Sequence, residues 1–115
     1  MFSGSLVAVI TPMRHDGTID LAASNGTSCL VVGGTTGESA TLTDAELDEL
    51  TRLAVQHAAG RLAVVAGAGT SSTAATVARV ARLSQLGVEG LLVVTPAYVR
   101  PTQEGLYRHF EAVAA

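Results

Sequence analysis

The 115-residue sequence contains no lysine: all seven of its Lys/Arg positions are arginine. This excludes a lysine Schiff base within these residues, and a Walker-type phosphate loop, which needs its lysine. Tryptophan is missing too. Phenylalanine and tyrosine supply only 3% of the chain, too little for a base-stacking surface against single-stranded nucleic acid. Net charge is −3 and there is no basic run, so the sequence carries no electrostatic footprint for nucleic acid or an anionic membrane. A single cysteine, Cys29, excludes an intrachain disulfide and fits a reducing compartment such as the cytoplasm. The N-terminus lacks the pattern of a signal peptide. The apolar runs, five to eight residues long, are too short to cross a bilayer.

What is present is a small, aliphatic α/β pattern. Hydrophobic residues make up 48% of the chain, mostly Ala, Val and Leu, and the length suits one domain. Leu6–Ile10 reads as a buried strand closed by Thr11-Pro12, with a turn signal at Asp16-Gly17 and a helix cap at Asp20 that Ser24-Asn25-Gly26 soon cuts short. A second strand is expected over Ser28–Val32. Thr43-Asp44-Ala45-Glu46 is a capping-box pattern, and Leu47, Leu50, Ala54 and Ala58 line one face of the helix behind it, which Gly60 should stop. The third strand spans Leu62–Ala66. A helix capped by Ser71 or Ser72 follows, with Val77, Val80, Ala81 and Ser84 on its expected inner face and Gly87 at its end. The fourth strand spans Gly90–Val94. A last helix from about Gln103 is expected to bury Leu106, Phe110 and Val113.

Strands alternating with helices imply a parallel sheet. Strand starts at Leu6, Cys29, Leu62 and Leu91 are separated by 23, 33 and 29 residues. The first unit is short, and what it lacks is its helix. Four strands do not close a barrel, whereas eight do. The pattern therefore predicts part of a larger α/β architecture.

Chemistry concentrates at Gly33-Gly34-Thr35-Thr36-Gly37-Glu38-Ser39, a glycine-rich turn at the C-terminal end of a strand, which is where parallel α/β folds bind ligands. Gly67-Ala68-Gly69, with Glu89 about 20 residues on, partly matches a dinucleotide fingerprint. Ser72 occupies the third glycine position, so an ordinary strand-to-helix turn is the better reading. His15, His57 and His109 have no metal-ligand spacing and read as surface residues. The acidic cluster Asp44, Glu46, Asp48 and Glu49 reads first as favourable charge at a helix N-terminus. Tyr98, just past Thr95-Pro96 and followed by Arg100-Pro101, is placed as a ligand or proton relay, or as a cover for the loop.

Together the segments Phe2-Ser3-Gly4-Ser5, Ile10-Thr11-Pro12-Met13, Gly34-Thr35-Thr36-Gly37-Glu38-Ser39-Ala40-Thr41-Leu42, Val65-Ala66-Gly67-Ala68-Gly69 and the run from Val94 to Phe110 resemble, in order and spacing, the N-terminal part of the 4-hydroxy-tetrahydrodipicolinate (dihydrodipicolinate) synthases. These belong to the pyruvate-dependent class I aldolases. The related N-acetylneuraminate lyases resemble the chain less, because their turn usually begins with Ser where Thr35 stands. The resemblance implies a single partial domain over residues 1–115: about four strands of a (β/α)8 TIM barrel, with the first helix largely deleted. It implies a cytoplasmic homotetramer that condenses pyruvate, held as a Schiff base on a sixth-strand lysine beyond residue 115, with aspartate 4-semialdehyde in lysine biosynthesis through diaminopimelate. No cofactor or metal is implied. Thr36 would bind the pyruvate carboxylate. Thr35 and Tyr98 would be catalytic, in a hydroxyl relay, with Tyr98 reaching a neighbouring subunit's site. Without its lysine the isolated chain is expected to be inactive.

In lysine-inhibited members of the family, a Ser, Ala, His, Asn, Glu and Tyr pocket holds the inhibitor. Ser39 and Ala40 match it. The histidine positions hold Asp44 and Leu47, and the Asn, Glu and Tyr positions hold Ser71, Ala75 and Ala97, so insensitivity to lysine is expected. Two other readings remain: a non-catalytic half-barrel that pairs with another copy, and a small-ligand α/β protein using the Gly67 turn for phosphate.

Overall fold

The computed structural model describes residues 6–8 and 28–115. The expectations for Phe2–Ser5, Val9–Ile10, His15, Asp20 and the shortened first crossover lie outside these residues. Four parallel strands, β1 (Leu6–Ala8), β2 (Cys29–Val32), β3 (Ala63–Gly67) and β4 (Gly90–Leu92), form one sheet in sequence order. Cys29 lies opposite both Leu6 and Ala63, and Gly67 opposite Leu92. Among the described residues, three helices connect and follow them: α1 (Asp44–Ala58), α2 (Thr73–Leu83) and α3 (Gln103–Ala114).

Strand residues alternate between two faces. On one face Leu30, Val32, Val64 and Ala66 pack with Leu47, Leu50, Ala54 and Ala58 of α1 and with Leu83 of α2. On the other, Cys29, Val31 and Val65 form a smaller buried cluster. β2 is buried on both faces, as parallel strands are when both sides are covered. The second face continues into β4 through the Gly67–Leu92 register, and there Leu92 and Val94 remain 44% and 46% exposed.

Helix α1 forms as its sequence predicts. Thr43 Oγ1 accepts from Glu46 N at 3.2 Å, and the Glu46 carboxylate accepts from Thr43 N at 2.8 Å. Two of the N–H groups left open at a helix start are thereby satisfied. Leu47, Leu50, Ala54 and Ala58 are all buried. The helix ends at Ala59, in left-handed conformation (φ +46°), one residue before the expected glycine. Ser72, not Ser71, caps α2.

The inner faces of the other two helices differ from expectation. On α2 the buried residues are Thr76 and Leu83, with Val80 half-buried, while Val77, Ala81 and Ser84 face outward. Burying Thr76 is tolerable because its hydroxyl accepts from Thr70 N (3.1 Å) and pairs with Thr70 Oγ1 (3.0 Å). On α3 the buried residue is His109, with Leu106 and Val113 half-buried and Phe110 exposed. His109 is therefore not a surface residue: its Nδ1 lies 2.9 Å from Thr73 Oγ1 on α2, and its ring meets Phe110 edge-on at 5.1 Å.

Charge ties α1 to α2. Arg79 Nε and Nη2 both donate to Asp44 Oδ1 (3.1 and 2.8 Å), and Arg82 Nε lies 2.8 Å from each Asp48 oxygen. Arg82 Nη2 also lies 3.0 Å from Asp44 Oδ1, bringing a second guanidinium against that carboxylate. Burial raises the Asp44 carboxyl, but the bonds and charge of Arg79, joined by Arg82, outweigh it and hold the group below its usual range. Glu46 is also lowered, chiefly by the Thr43 backbone N–H. The acidic cluster is thus helix electrostatics, extended to the neighbouring helix.

Candidate functional site

The turn after β2 is built on Gly33, whose φ of +62° lies in the left-handed region that favours glycine. Gly37 N and Glu38 N then donate to Gly34 O and Thr35 O, each at 3.0 Å, closing a short 3-10 turn over Thr35–Gly37. Glu38 ends it at φ +54°, and Thr41 Oγ1 steadies its carbonyl at 2.8 Å. The geometry leaves both threonines exposed. Among the described residues, the N–H and hydroxyl groups of Thr35 and Thr36 have no hydrogen-bond partner. Four donors thus sit on one short turn at the C-terminal end of β2, groups of the kind that hold a carboxylate or other small anion.

Tyr98 stands on the segment between β4 and α3. Its side chain is fully exposed and its φ is +68°, with Arg100 at +43° two residues on. Left-handed backbone at a bulky residue costs on the order of 1–3 kcal/mol and concentrates at functional positions. Tyr98 does not hydrogen-bond to Thr35 or Thr36. It instead helps line an open cleft of about 340 Å³ with Ser39, Ala40, Thr70, Ser71 and Arg79. Of the residues matched to the lysine pocket, Ser39, Ala40, Ser71 and Ala97 reach this cleft. Leu47 does not: it is buried in the core, against Gly33. Asp44 is held by Arg79 at 2.8 Å. Arg79, whose role no local motif signals, is the charged residue among the described residues that line the cleft.

The partial dinucleotide fingerprint is absorbed by packing. Glu89 accepts from Val64 N at 2.6 Å while its own N–H donates to Val64 O at 2.9 Å, so it closes the start of β3 onto β4. The Cys29 thiol is pushed up by burial and then by the charge of Glu89, which makes it an inert core residue. Among the described residues, no three His, Cys, Asp or Glu side chains converge as a metal site would require, and no helix is long and apolar enough to cross a membrane.

The model of the dihydrodipicolinate synthetase family matches residues 1–115. The chain belongs to that family. The 4-hydroxy-tetrahydrodipicolinate synthase of Aromatoleum aromaticum is 48% identical over 123 aligned positions, covering 99% of this chain and 42% of that protein. The alignment is eight positions longer than the chain, so the relative holds residues this one lacks. Dihydrodipicolinate synthase from Aquifex aeolicus superposes with a TM-score of 0.87 at 45% identity, over 98% of this chain and 41% of that one. The chloride-inhibited synthase from Acinetobacter baumannii, solved in complex with pyruvate, gives 0.88 at 38% identity, over 96% and 41%. The fold is thus α/β and matches the N-terminal part of synthase TIM barrels. This dihydrodipicolinate synthetase-family chain spans about two-fifths of the length of the relatives it matches.

Proposed function

We propose that these residues form the pyruvate-carboxylate side of a 4-hydroxy-tetrahydrodipicolinate synthase site. The complete enzyme condenses pyruvate, held as a lysine Schiff base, with aspartate 4-semialdehyde. The reading rests on the paired free donors of Thr35 and Thr36 at the C-terminal end of β2. Thr36 donates its N–H and hydroxyl to the carboxylate, and donors fixed in a glycine-supported turn need no reorganisation to do so. Thr35 passes protons during imine and enamine formation, a task that calls for a positioned hydroxyl. Tyr98 completes the relay in a neighbouring subunit of a cytoplasmic homotetramer. Its full exposure and lack of hydrogen bonds to described residues support an outward role.

With no lysine among the 115 residues, there is no side-chain amine to form the imine, and this stretch is inactive by itself. Borohydride reduction with labelled pyruvate tests this: no covalent adduct is expected on any side chain, and a stable one away from the N-terminal α-amine overturns the claim. The carboxylate assignment has its own test. Pyruvate should shift the Thr35 and Thr36 amide resonances, and Thr36→Val should weaken the effect. Absence of any shift in the unsubstituted chain removes the assignment.

The exposure of Leu92 and Val94 on the sheet face favours one other reading, a non-catalytic half-barrel that pairs with a second copy. Size-exclusion chromatography separates them: a discrete dimer supports pairing, and a monomer or aggregate refutes it.

A further inference from the structure

Gly67 ends β3 one residue beyond the Val32–Ala66 pair, beside the point where Gly33 turns out of β2. A Cβ placed on Gly67 would overlap the Gly33 carbonyl oxygen, and would sit 2.7 Å from Gly33 C and 3.1 Å from Gly34 N. All three are backbone atoms, so no rotamer change relieves the overlap. From the other side, a Cβ on Gly33 would collide with Leu47 Cδ1, and Leu47 is only 1% exposed. The Gly33–Gly34 peptide is therefore pressed between the bare backbone of β3 and a core leucine of α1. Its carbonyl is followed directly by Gly34 O, which accepts from Gly37 N and holds the turn that presents Thr35 and Thr36.

We infer that Gly67 is a positioning residue for the Thr35–Thr36 cradle. Its missing side chain lets the Gly33–Gly34 peptide seat against β3, and that seat fixes where the threonine donors point. A methyl at Gly67 needs space of the order of an ångström, and Leu47 blocks retreat without repacking. The turn must lift away, carrying its donors with it; a displacement of that size is enough to spoil a binding geometry. Gly69 is a milder control in another place, also against backbone. A Cβ there would sit 2.7 Å from Val94 N, disturbing the contact with the β4 side and not the cradle. That pyruvate is what the cradle holds rests on the function proposed above.

The test compares Gly67→Ala and Gly69→Ala in the full chain by NMR, reading the Thr35 and Thr36 amide and methyl resonances before and after adding sodium pyruvate. The expected result is that Gly67→Ala moves these resonances in the free protein and reduces the pyruvate-induced shifts at least tenfold, while Gly69→Ala leaves the free-state threonine resonances in place. A folded Gly67→Ala chain with unmoved threonine resonances overturns the inference. If Gly67→Ala does not fold, hydrogen exchange in the unsubstituted chain decides. Gly37 and Glu38 amides protected as strongly as Val65 and Ala66 support a seated turn; exchange more than a hundredfold faster overturns it. Lack of a pyruvate response in the unsubstituted chain counts against the proposed ligand alone, since the free-state comparison does not use it.

Discussion

Replacing Arg82 with methionine keeps most of the side-chain stem and removes one of the charges that join α2 to α1. The loss covers both 2.8 Å contacts to Asp48 and the 3.0 Å approach to Asp44. Position decides the magnitude. Fully exposed pairs contribute about 0–1 kcal/mol, whereas hydrogen bonds to charged groups reach about 1.5–3 kcal/mol when water is partly excluded. Arg82 and Asp48 are 33% and 20% exposed, between these limits. Asp44 and Asp48, left four residues apart with only Arg79, would also repel each other by about 0.2–0.5 kcal/mol. Arg82→Met should therefore cost about 1–2 kcal/mol, roughly 3–8 °C in a chain of this size. Arg108→Met is the contrast: its bond to Glu104 is 2.8 Å long, but the two are 69% and 70% exposed, so the expected loss is about 0.5 kcal/mol or less. Urea denaturation of Arg82→Met, Asp48→Asn and the double variant gives the coupling directly. A coupling under about 0.3 kcal/mol, within the usual error of additivity, or an equal loss from Arg108→Met, refutes the claim that partial burial makes this network count.

Acid should loosen the same region. Asp44 and Glu46 have folded-state carboxyls held below their ordinary values, so their contribution is complete above the unfolded pKa of about 4 and is lost as pH falls through the lowered folded values. Thermal melts from pH 7 to pH 2 should show stability falling below about pH 4, and Asp44→Asn with Glu46→Gln should flatten that limb; an unchanged limb would refute the assignment. Lysine is expected not to bind the cleft, because Leu47 is buried and Asp44 is already paired with Arg79. Calorimetry showing micromolar binding would contradict this.

Elements whose signals are local were readable in advance. The α1 cap needs only Thr43 and Glu46 three residues apart, and its buried stripe needs only apolar periodicity. The inner face of α2 was misjudged because hydropathy disfavours burying Thr76; the partner that makes it acceptable, Thr70, comes from the loop before the helix. On α3 the misplaced residue was His109, whose Thr73 partner lies 36 residues away. At the site, the glycine-rich turn and its threonines were visible as a motif. The seat beneath them was not, because Gly67 meets Gly33 only once β2 and β3 lie side by side. Arg79 escaped for a similar reason: its partner Asp44 sits on another helix.

That pairing has a kinetic consequence for the cleft it borders. Arg79, the charged residue of the lining, faces the opposite charge of Asp44 at 2.8 Å. A concave site lined by one sign of charge gathers ions from solution and speeds their arrival, in a manner that salt suppresses. Asp44 offsets part of the Arg79 field, so a charged molecule entering beside Ser39, Thr70 and Tyr98 should be steered less strongly, and with a weaker salt dependence, than an unpaired arginine there would steer it.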